Sequence, residues 1–135
     1  MTLQAEKLPS FTPASILVVE DNPDSRDALR ALLEAYGYSV IEATNGKEGV
    51  GEALRRKPDL ILMDIMMPVM DGLQATRVLR TNSEFRQVPI LALTALAGSR
   101  DVALDAGCDD YLTKPFNVVA MLTTIREWLA RSQVS

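Results

Sequence analysis

The chain contains no histidine and only one cysteine, Cys108, among its 135 residues. The lack of histidine excludes histidine metal ligands, serine–histidine catalytic triads and an autophosphorylated histidine in the chain itself. A single cysteine cannot form an intramolecular disulfide, which suits a reducing compartment. Any chemistry of this chain must therefore use carboxylates, hydroxyl groups and lysine.

Long apolar runs and clusters of basic residues are also missing. No apolar run approaches the roughly 18–20 residues that cross a bilayer, and residues 1–14 lack the apolar stretch of a secretory signal. The net charge is −4, whereas contacts to nucleic-acid phosphates need clustered lysine and arginine. We therefore expect a cytoplasmic protein that binds neither a membrane nor a nucleic acid directly.

Five short apolar runs alternate along the chain with five segments of helical pattern. The predicted strands are 16–19, 38–43, 60–63, 88–93 and 110–113, and the predicted helices are 23–36, 45–56, 71–80, 99–106 and 117–131. This alternation predicts one α/β domain, a parallel sheet with helices on both faces. We assign residues 1–14 to a flexible N-terminal tail, 15–131 to the domain and 132–135 to a C-terminal tail.

Polar residues follow four of the predicted strands directly: Glu20 and Asp21, Asp64, Thr94, and Lys114. In such sheets ligands bind at the carboxyl ends of the strands. Two like charges about 4 Å apart repel by roughly 4 kcal/mol at an effective dielectric of 20, so three clustered carboxylates need a cation. Mg²⁺ fits, because it binds oxygen ligands and takes one or two carboxylates plus waters.

Three carboxylates, one lysine and one divalent cation together have no net charge, so the site can receive a dianionic phosphoryl group. A carboxylate can attack phosphorus to form an aspartyl phosphate, and such transfer depends on positioning and charge neutralisation. We interpret Asp64 as the phosphoacceptor, with the metal bridging Asp64 and the incoming group. Lys114 and Thr94 would contact the other phosphoryl oxygens.

These motifs resemble those of bacterial two-component response-regulator receiver domains, in particular stand-alone, chemotaxis-regulator-like ones. The likeness covers residues 14–131 and depends on four segments: ILVVED at 16–21, DLILMDIMMPVMDG at 59–72, PILALTA at 89–95 and AGCDDYLTKPF at 106–116. The resemblance implies a flavodoxin-like, doubly wound sheet of five parallel strands in the order 2-1-3-4-5 with five helices.

The resemblance also implies a set of metal ligands. Asp21 and Asp64 would bind Mg²⁺ directly, the backbone carbonyl of Met66 would be the third protein ligand, and Glu20 would act mainly through water. Mn²⁺ is expected to substitute for Mg²⁺.

A switch and its partners are implied in the same way. Thr94 would shift toward the phosphoryl group, Tyr111 would turn inward behind it, and the Lys114–Pro115 peptide bond would be cis. The phosphoryl donor would be a histidine kinase or a histidine phosphotransfer protein, and the output would be binding of a downstream effector protein or onward relay. The chain would not turn over an external substrate, and it would be a monomer or a phosphorylation-dependent dimer.

The chain departs from the family pattern in three places. Glu20 stands where many members have aspartate, which keeps the charge and the oxygen donors. Met66 and Leu96 make the rim of the site apolar, so nothing there orients an attacking water, and we expect a long-lived phosphoryl state. The spacing between Thr94 and Lys114 is slightly short, which indicates a trimmed fourth helix or trimmed loops.

Other interpretations remain open from the sequence. The chain could be an aspartyl-phosphate phosphatase, although the second aspartate that such enzymes use is replaced by Met66, or a binding module that is never phosphorylated. Glu20 and Asp21 could simply cap the first helix. Trp128 could be exposed for a partner or buried at the edge of the core.

Overall fold

The computed structural model describes residues 13–66, 70–95 and 99–134. The strands are β1 Ser15–Val19, β2 Ser39–Ala43, β3 Leu60–Asp64, β4 Ile90–Thr94 and β5 Asp110–Thr113. The α-helices are α1 Pro23–Ala35, α2 Gly46–Arg56, α3 Gly72–Arg80, α4 Arg100–Ala106 and α5 Val118–Val134, and a 3-10 helix spans Ser83–Phe85.

The five strands form one parallel sheet in the order β2-β1-β3-β4-β5, which confirms the predicted fold. Val19, the last residue of β1, lies opposite Met63 of β3. The residues that follow, Glu20 and Asp64, therefore leave the sheet side by side at its carboxyl edge. Thr94 at the end of β4 pairs with Thr113 at the end of β5, which brings Lys114 to the same edge.

Each face of the sheet is covered by its own apolar layer. Because side chains alternate along a strand, Leu17 and Val19 of β1 face one layer, built with α2, α3 and α4. Ile16 and Val18 face the other layer, built with α1 and α5. Strands covered on both faces explain the unbroken apolar runs of the sequence.

Side-chain caps fix where the helices around the carboxyl edge begin. Asn22 accepts a hydrogen bond from the Ser25 amide (2.9 Å) at the start of α1, and Asp71 forms a reciprocal capping box with Gln74 at the start of α3. Asn117 accepts from the Ala120 amide (3.0 Å) at the start of α5. These caps satisfy backbone amides in the first turns of the helices that follow β1, β3 and β5.

The structure corrects several details of the sequence prediction. Helix α5 continues to Val134, past the predicted helix end at residue 131, because no glycine or proline interrupts it. The short helix Ser83–Phe85 was not predicted, and it buries Phe85 in the core. The spacing of apolar residues in α5 predicts Leu122 in the core and Met121 on an adjacent stripe, but Met121 is fully buried and Leu122 is only partly buried.

Arg80 joins the two loops that precede β4 and β5, a role the sequence did not reveal. Its guanidinium donates to the carbonyls of Val88 (2.9 Å), Gly107 (2.9 Å) and Phe85 and forms an ion pair with Asp109 (2.7 Å). These contacts fix the starts of the two strands whose far ends present Thr94 and Lys114.

Trp128 lies at the edge of the core, the second of its two predicted settings. Its indole N–H donates to Asp110 (3.0 Å), and the Arg131 guanidinium lies 4.3 Å from its ring centroid. In the described part of the chain, no helix has both the length and the apolar character needed to cross a bilayer.

Candidate functional site

Three carboxylates converge at the carboxyl edge of the sheet. Glu20, Asp21 and Asp64 each offer an oxygen atom, and these atoms all lie within 4.8 Å of one another. Glu20 and Asp64 are almost completely buried, 1% and 4% exposed, whereas Asp21 is exposed. The adjacent pairing of β1 and β3 produces this convergence, as the positions of the acids after two apolar runs predicted.

Lys114 brings a positive charge into the cluster from the end of β5. Its Nζ lies 2.6 Å from Glu20 Oε1 and 3.4 Å from Asp64 Oδ2. The peptide bond from Lys114 to Pro115 is cis. One ammonium thus contacts both buried acids, which come from two different strands.

Backbone amides hold the remaining oxygens of the two buried acids. The Met66 amide donates to Asp64 Oδ1 (2.9 Å), and the Asn22 amide donates to Glu20 Oε2 (3.2 Å). The Met66 side chain itself is 60% exposed. Leu96, the other expected member of an apolar rim, lies outside the described residues.

The acids and the lysine perturb one another's protonation. Burial, together with the neighbouring Glu20, raises the pKa of Asp64 to about 6. For Glu20, burial opposes ionisation, but hydrogen bonds with Asp64, Lys114 and the Asn22 amide hold its pKa below the usual value. Burial also disfavours the charged form of Lys114, yet its bond to Glu20 and the charge of Asp64 raise its pKa. Glu20 and Lys114 thus form an ion pair, and Asp64 is the buried acid whose pKa is raised.

The hydroxyl of Thr94 lies at the end of β4, beside the cluster. Thr94 is 1% exposed, and its Oγ1 accepts a hydrogen bond from the Ser99 hydroxyl (3.0 Å). Tyr111 of β5 is partly buried and packs against the core layer of α2, α3 and α4. The two residues expected to form a switch therefore lie on neighbouring strands, with Ala92 paired to Tyr111.

The donor set suits a hard divalent cation. Three carboxylate oxygens lie within reach of a shared ion, and Lys114 offsets one of their charges. Oxygen donors of this kind match Mg²⁺ or Mn²⁺ and do not match a soft metal. Four methionines stand in or after β3, and from the sequence they could suggest a soft-metal site. Met63 is buried in the core, Met70 packs against it and Met66 is exposed, while Met67 lies outside the described residues.

Arg26 also borders the cluster, and the sequence reading did not single it out. Its guanidinium donates to the backbone carbonyl of Glu20 (2.9 Å). A signal was present: Arg26, Leu29 and Leu33 have the i, i+3, i+7 spacing of one helix face, and the two leucines are core residues. A charged residue in line with a buried stripe indicates an inward contact.

The family follows from sequence and structure together. The profile described as "Response regulator receiver domain" matches residues 16–126, which include all the acids of the site and Lys114. The chain therefore belongs to the response regulator receiver domain family.

Individual relatives agree with this assignment. The chain is 40% identical over 119 residues to the polar-differentiation response regulator DivK of Brucella anthropi, covering 87% of this chain and 97% of that protein. It is also 40% identical over 119 residues to the DNA-binding dual master transcriptional regulator RpaA of Synechocystis, of which it covers 49%.

Solved structures of receiver domains superimpose closely. The receiver domain of the sensor histidine kinase PA1611 from Pseudomonas aeruginosa has 41% identity and a TM-score of 0.82, with 88% of this chain and 99% of that chain covered, and it has a magnesium ion coordinated in its active-site cleft. The chemotaxis response regulator CheY4 of Vibrio cholerae has 31% identity and a TM-score of 0.82, covering 87% of this chain and 99% of that chain.

Proposed function

We propose that this chain is a cytoplasmic phosphorelay switch that accepts a phosphoryl group from a partner phosphohistidine onto Asp64 in a Mg²⁺-dependent reaction. The main observation is the cluster itself: two buried acids and an exposed one meet at one edge of the sheet with Lys114 between the buried pair. A cluster with this arrangement of charge is suited to bind a cation and a phosphoryl group together.

Asp64 has the properties of the nucleophile. Its pKa of about 6 leaves the carboxylate ionised at neutral pH, and the Met66 amide fixes one of its oxygens. In the proposed step, an Asp64 oxygen forms a bond to phosphorus while the phosphorus–nitrogen bond of the donor breaks. The electron pair of that bond leaves on the imidazole nitrogen.

The other residues neutralise and position the transferred group. Lys114, now bound to both buried acids, would pair with a phosphoryl oxygen, and the Thr94 hydroxyl would donate to another. Asp21, Asp64 and the Met66 carbonyl would hold Mg²⁺ directly, with Glu20 acting mainly through water. When bound, Mg²⁺ would supply positive charge that offsets the negative charge of the acceptor carboxylate and of the incoming phosphoryl group.

The output would be a change in protein binding or onward relay of the phosphoryl group. A phosphoryl group adds charge and acceptor oxygens, and it would bias a two-state element formed by Thr94 and Tyr111. Receiver domains of this family interact with histidine kinases and effector proteins. We propose the same partners here, with a histidine phosphotransfer protein as an alternative donor. The chain would be a monomer or a phosphorylation-dependent dimer.

Incubation with acetyl phosphate and Mg²⁺, followed by intact mass measurement, tests the proposal. We expect a stable gain of one phosphoryl group that requires Mg²⁺ and is lost in Asp64→Asn. Steady release of phosphate from a phosphomonoester would instead indicate a phosphatase. No gain at all, with properly folded protein, would indicate a binding module that is not phosphorylated.

A further inference from the structure

Arg26 is a mostly buried cation with no part in the proposed transfer. It lies near the start of α1, and its side chain is 17% exposed. One arm of the guanidinium, Nη1, donates to the backbone carbonyl of Glu20 at 2.9 Å. The Nε edge lies 3.5 Å from Oε2 of Glu42, so the side chain connects strand β2 with the turn after β1.

Glu42 is the acidic partner of Arg26 in this ion pair. It lies within β2, where it pairs with Val18 of β1. Its other oxygen, Oε1, accepts a hydrogen bond from Arg30 Nη1 at 3.1 Å. Two arginines of α1, Arg26 and Arg30, therefore contact the same carboxylate of the sheet. Of the two, Arg26 is the one that also binds the backbone of the acid cluster, at the Glu20 carbonyl.

The Glu20 carbonyl belongs to the peptide unit that joins two of the clustered acids. The Glu20 amide makes the last hydrogen bond toward β2, to the Ala43 carbonyl at 3.1 Å. Beyond that point, Arg26 holds the peptide plane between Glu20 and Asp21. Rotation of this plane would turn the Glu20 and Asp21 side chains in different directions, because the plane connects their two Cα atoms.

We infer that Arg26 is a positioning residue: by holding the Glu20–Asp21 peptide against Glu42, it directs both carboxylates toward Asp64 and their shared cation. The inference depends on the proposed function only in taking that cation to be Mg²⁺. Groups that orient metal ligands without touching the metal commonly change metal affinity about 10–100-fold when removed.

The sign of the effect separates positioning from simple electrostatics. Arg26 is a positive charge bound to the backbone of one of the clustered acids, so its charge alone opposes the binding of a cation there. If charge were its whole influence, removal of Arg26 would tighten Mg²⁺ binding. If Arg26 instead positions the carboxylates, its removal should weaken Mg²⁺ binding.

The experiment is a calorimetric titration of the whole chain with Mg²⁺, using wild type, Arg26→Met, Arg26→Lys and Arg30→Met. We expect Arg26→Met to bind Mg²⁺ about ten-fold more weakly. Arg26→Lys keeps the charge but lacks the planar fork that reaches two acceptors, so its affinity should be intermediate. Arg30→Met is the matched control, because it removes a cation and a Glu42 contact without touching Glu20, and its affinity should stay within about two-fold of wild type.

Several results would overturn the inference. One is Mg²⁺ binding in Arg26→Met that is as tight as in wild type or tighter. Another is a loss of Mg²⁺ affinity in Arg30→Met that equals the loss in Arg26→Met. Circular dichroism verifies that each variant is folded; if Arg26→Met does not fold, Arg26→Lys replaces it, and wild-type affinity in Arg26→Lys then contradicts the inference. Failure in these variants alone leaves the proposed function intact, whereas a wild-type protein that binds no Mg²⁺ overturns both.

Discussion

Lys114 is the side chain on which the charge balance of the cleft depends most directly. Its ammonium contacts Glu20 and Asp64 together, and in the proposed reaction it would pair with the phosphoryl group. We expect Lys114→Met to slow phosphorylation by acetyl phosphate about 100-fold, the effect typical of losing one group that stabilises transition-state charge. Intact mass spectrometry over time measures the rate. Lys47→Met, which removes an exposed lysine of α2, should react like wild type, and a normal rate in Lys114→Met would contradict the role.

Asp64 is expected to make the metal-free protein less stable as pH rises. Burial raises its pKa from 3.8 to about 6, so the folded protein binds this proton more tightly than the unfolded chain does. The resulting stabilisation is present below about pH 4 and is lost as pH rises through about 6.

Asp64→Asn removes this titration. In EDTA at about pH 8, we expect its free energy of unfolding to exceed that of wild type by about 3 kcal/mol, and the gain should vanish below about pH 4. Urea denaturation across this pH range measures the difference. Asp27→Asn, on the exposed surface of α1, should show no such pH dependence; a gain of the same size in both variants would exclude burial of Asp64 as the cause.

Met66 is expected to prolong the phosphorylated state. Its exposed apolar side chain offers no hydrogen bond to a water that would attack the phosphoryl group. Met66→Asn should therefore shorten the lifetime of phosphorylated protein several-fold, as followed by mass spectrometry after removal of acetyl phosphate. Val78→Asn, another exposed apolar position, is the control, and equal lifetimes in wild type and Met66→Asn would refute the expectation.

At the scale of elements, the close approach of α3 to β3 sets the position of Asp64. A Cβ atom on Gly72, the first residue of α3, would lie 2.2 Å from the Asp64 carbonyl oxygen, whereas one on Gly51 within α2 would meet nothing within 4 Å. The backbone of Asp64 can therefore lie against the start of α3 only if residue 72 has no side chain.

This contrast gives a pair of opposite predictions. Gly72→Ala should lower the free energy of unfolding by about 2 kcal/mol or more, because backbone atoms must move, and it should also slow phosphorylation. Gly51→Ala should raise the free energy of unfolding by about 0.5–1 kcal/mol, because it removes a helix-interior glycine. Urea denaturation measures both, and a neutral Gly72→Ala would mean that α3 is less closely packed than the distances indicate.

For the molecule as a whole, Mg²⁺ binding should be linked to folding. A ligand that binds only the folded state stabilises it, by about 2.7 kcal/mol at 100 times its dissociation constant. Wild-type protein should show this increase in the free energy of unfolding between EDTA and Mg²⁺. Asp21→Asn should show a clearly smaller increase. Urea denaturation followed through Trp128 fluorescence measures the free energy of unfolding of both proteins. As a control for ionic strength, NaCl without divalent cations should give no such increase. An equal increase in the variant would exclude Asp21 as a ligand.

The alternation of strands and helices follows from the amino-acid sequence alone, and so do the positions of the acids at the strand ends. Short apolar runs such as 16–19, bounded by polar residues, are typical of strands covered on both faces, and parallel strands put their carboxyl ends on one edge. For this reason the sequence predicts that Glu20, Asp64 and Lys114 lie at the same edge of the sheet. The strand order came from the resemblance of the motifs to those of receiver domains, because periodicity alone does not specify it.

Contacts between residues far apart in the chain depend on how the helices and strands pack. Arg26 reaches Glu42 and the Glu20 carbonyl because α1 lies over β2 and β1, and Arg80 reaches Asp109 because two loops meet beneath it. The protonation of Asp64 likewise depends on burial and on Glu20. Such contacts join residues far apart in the chain, so they follow from how the elements pack and not from any local spacing.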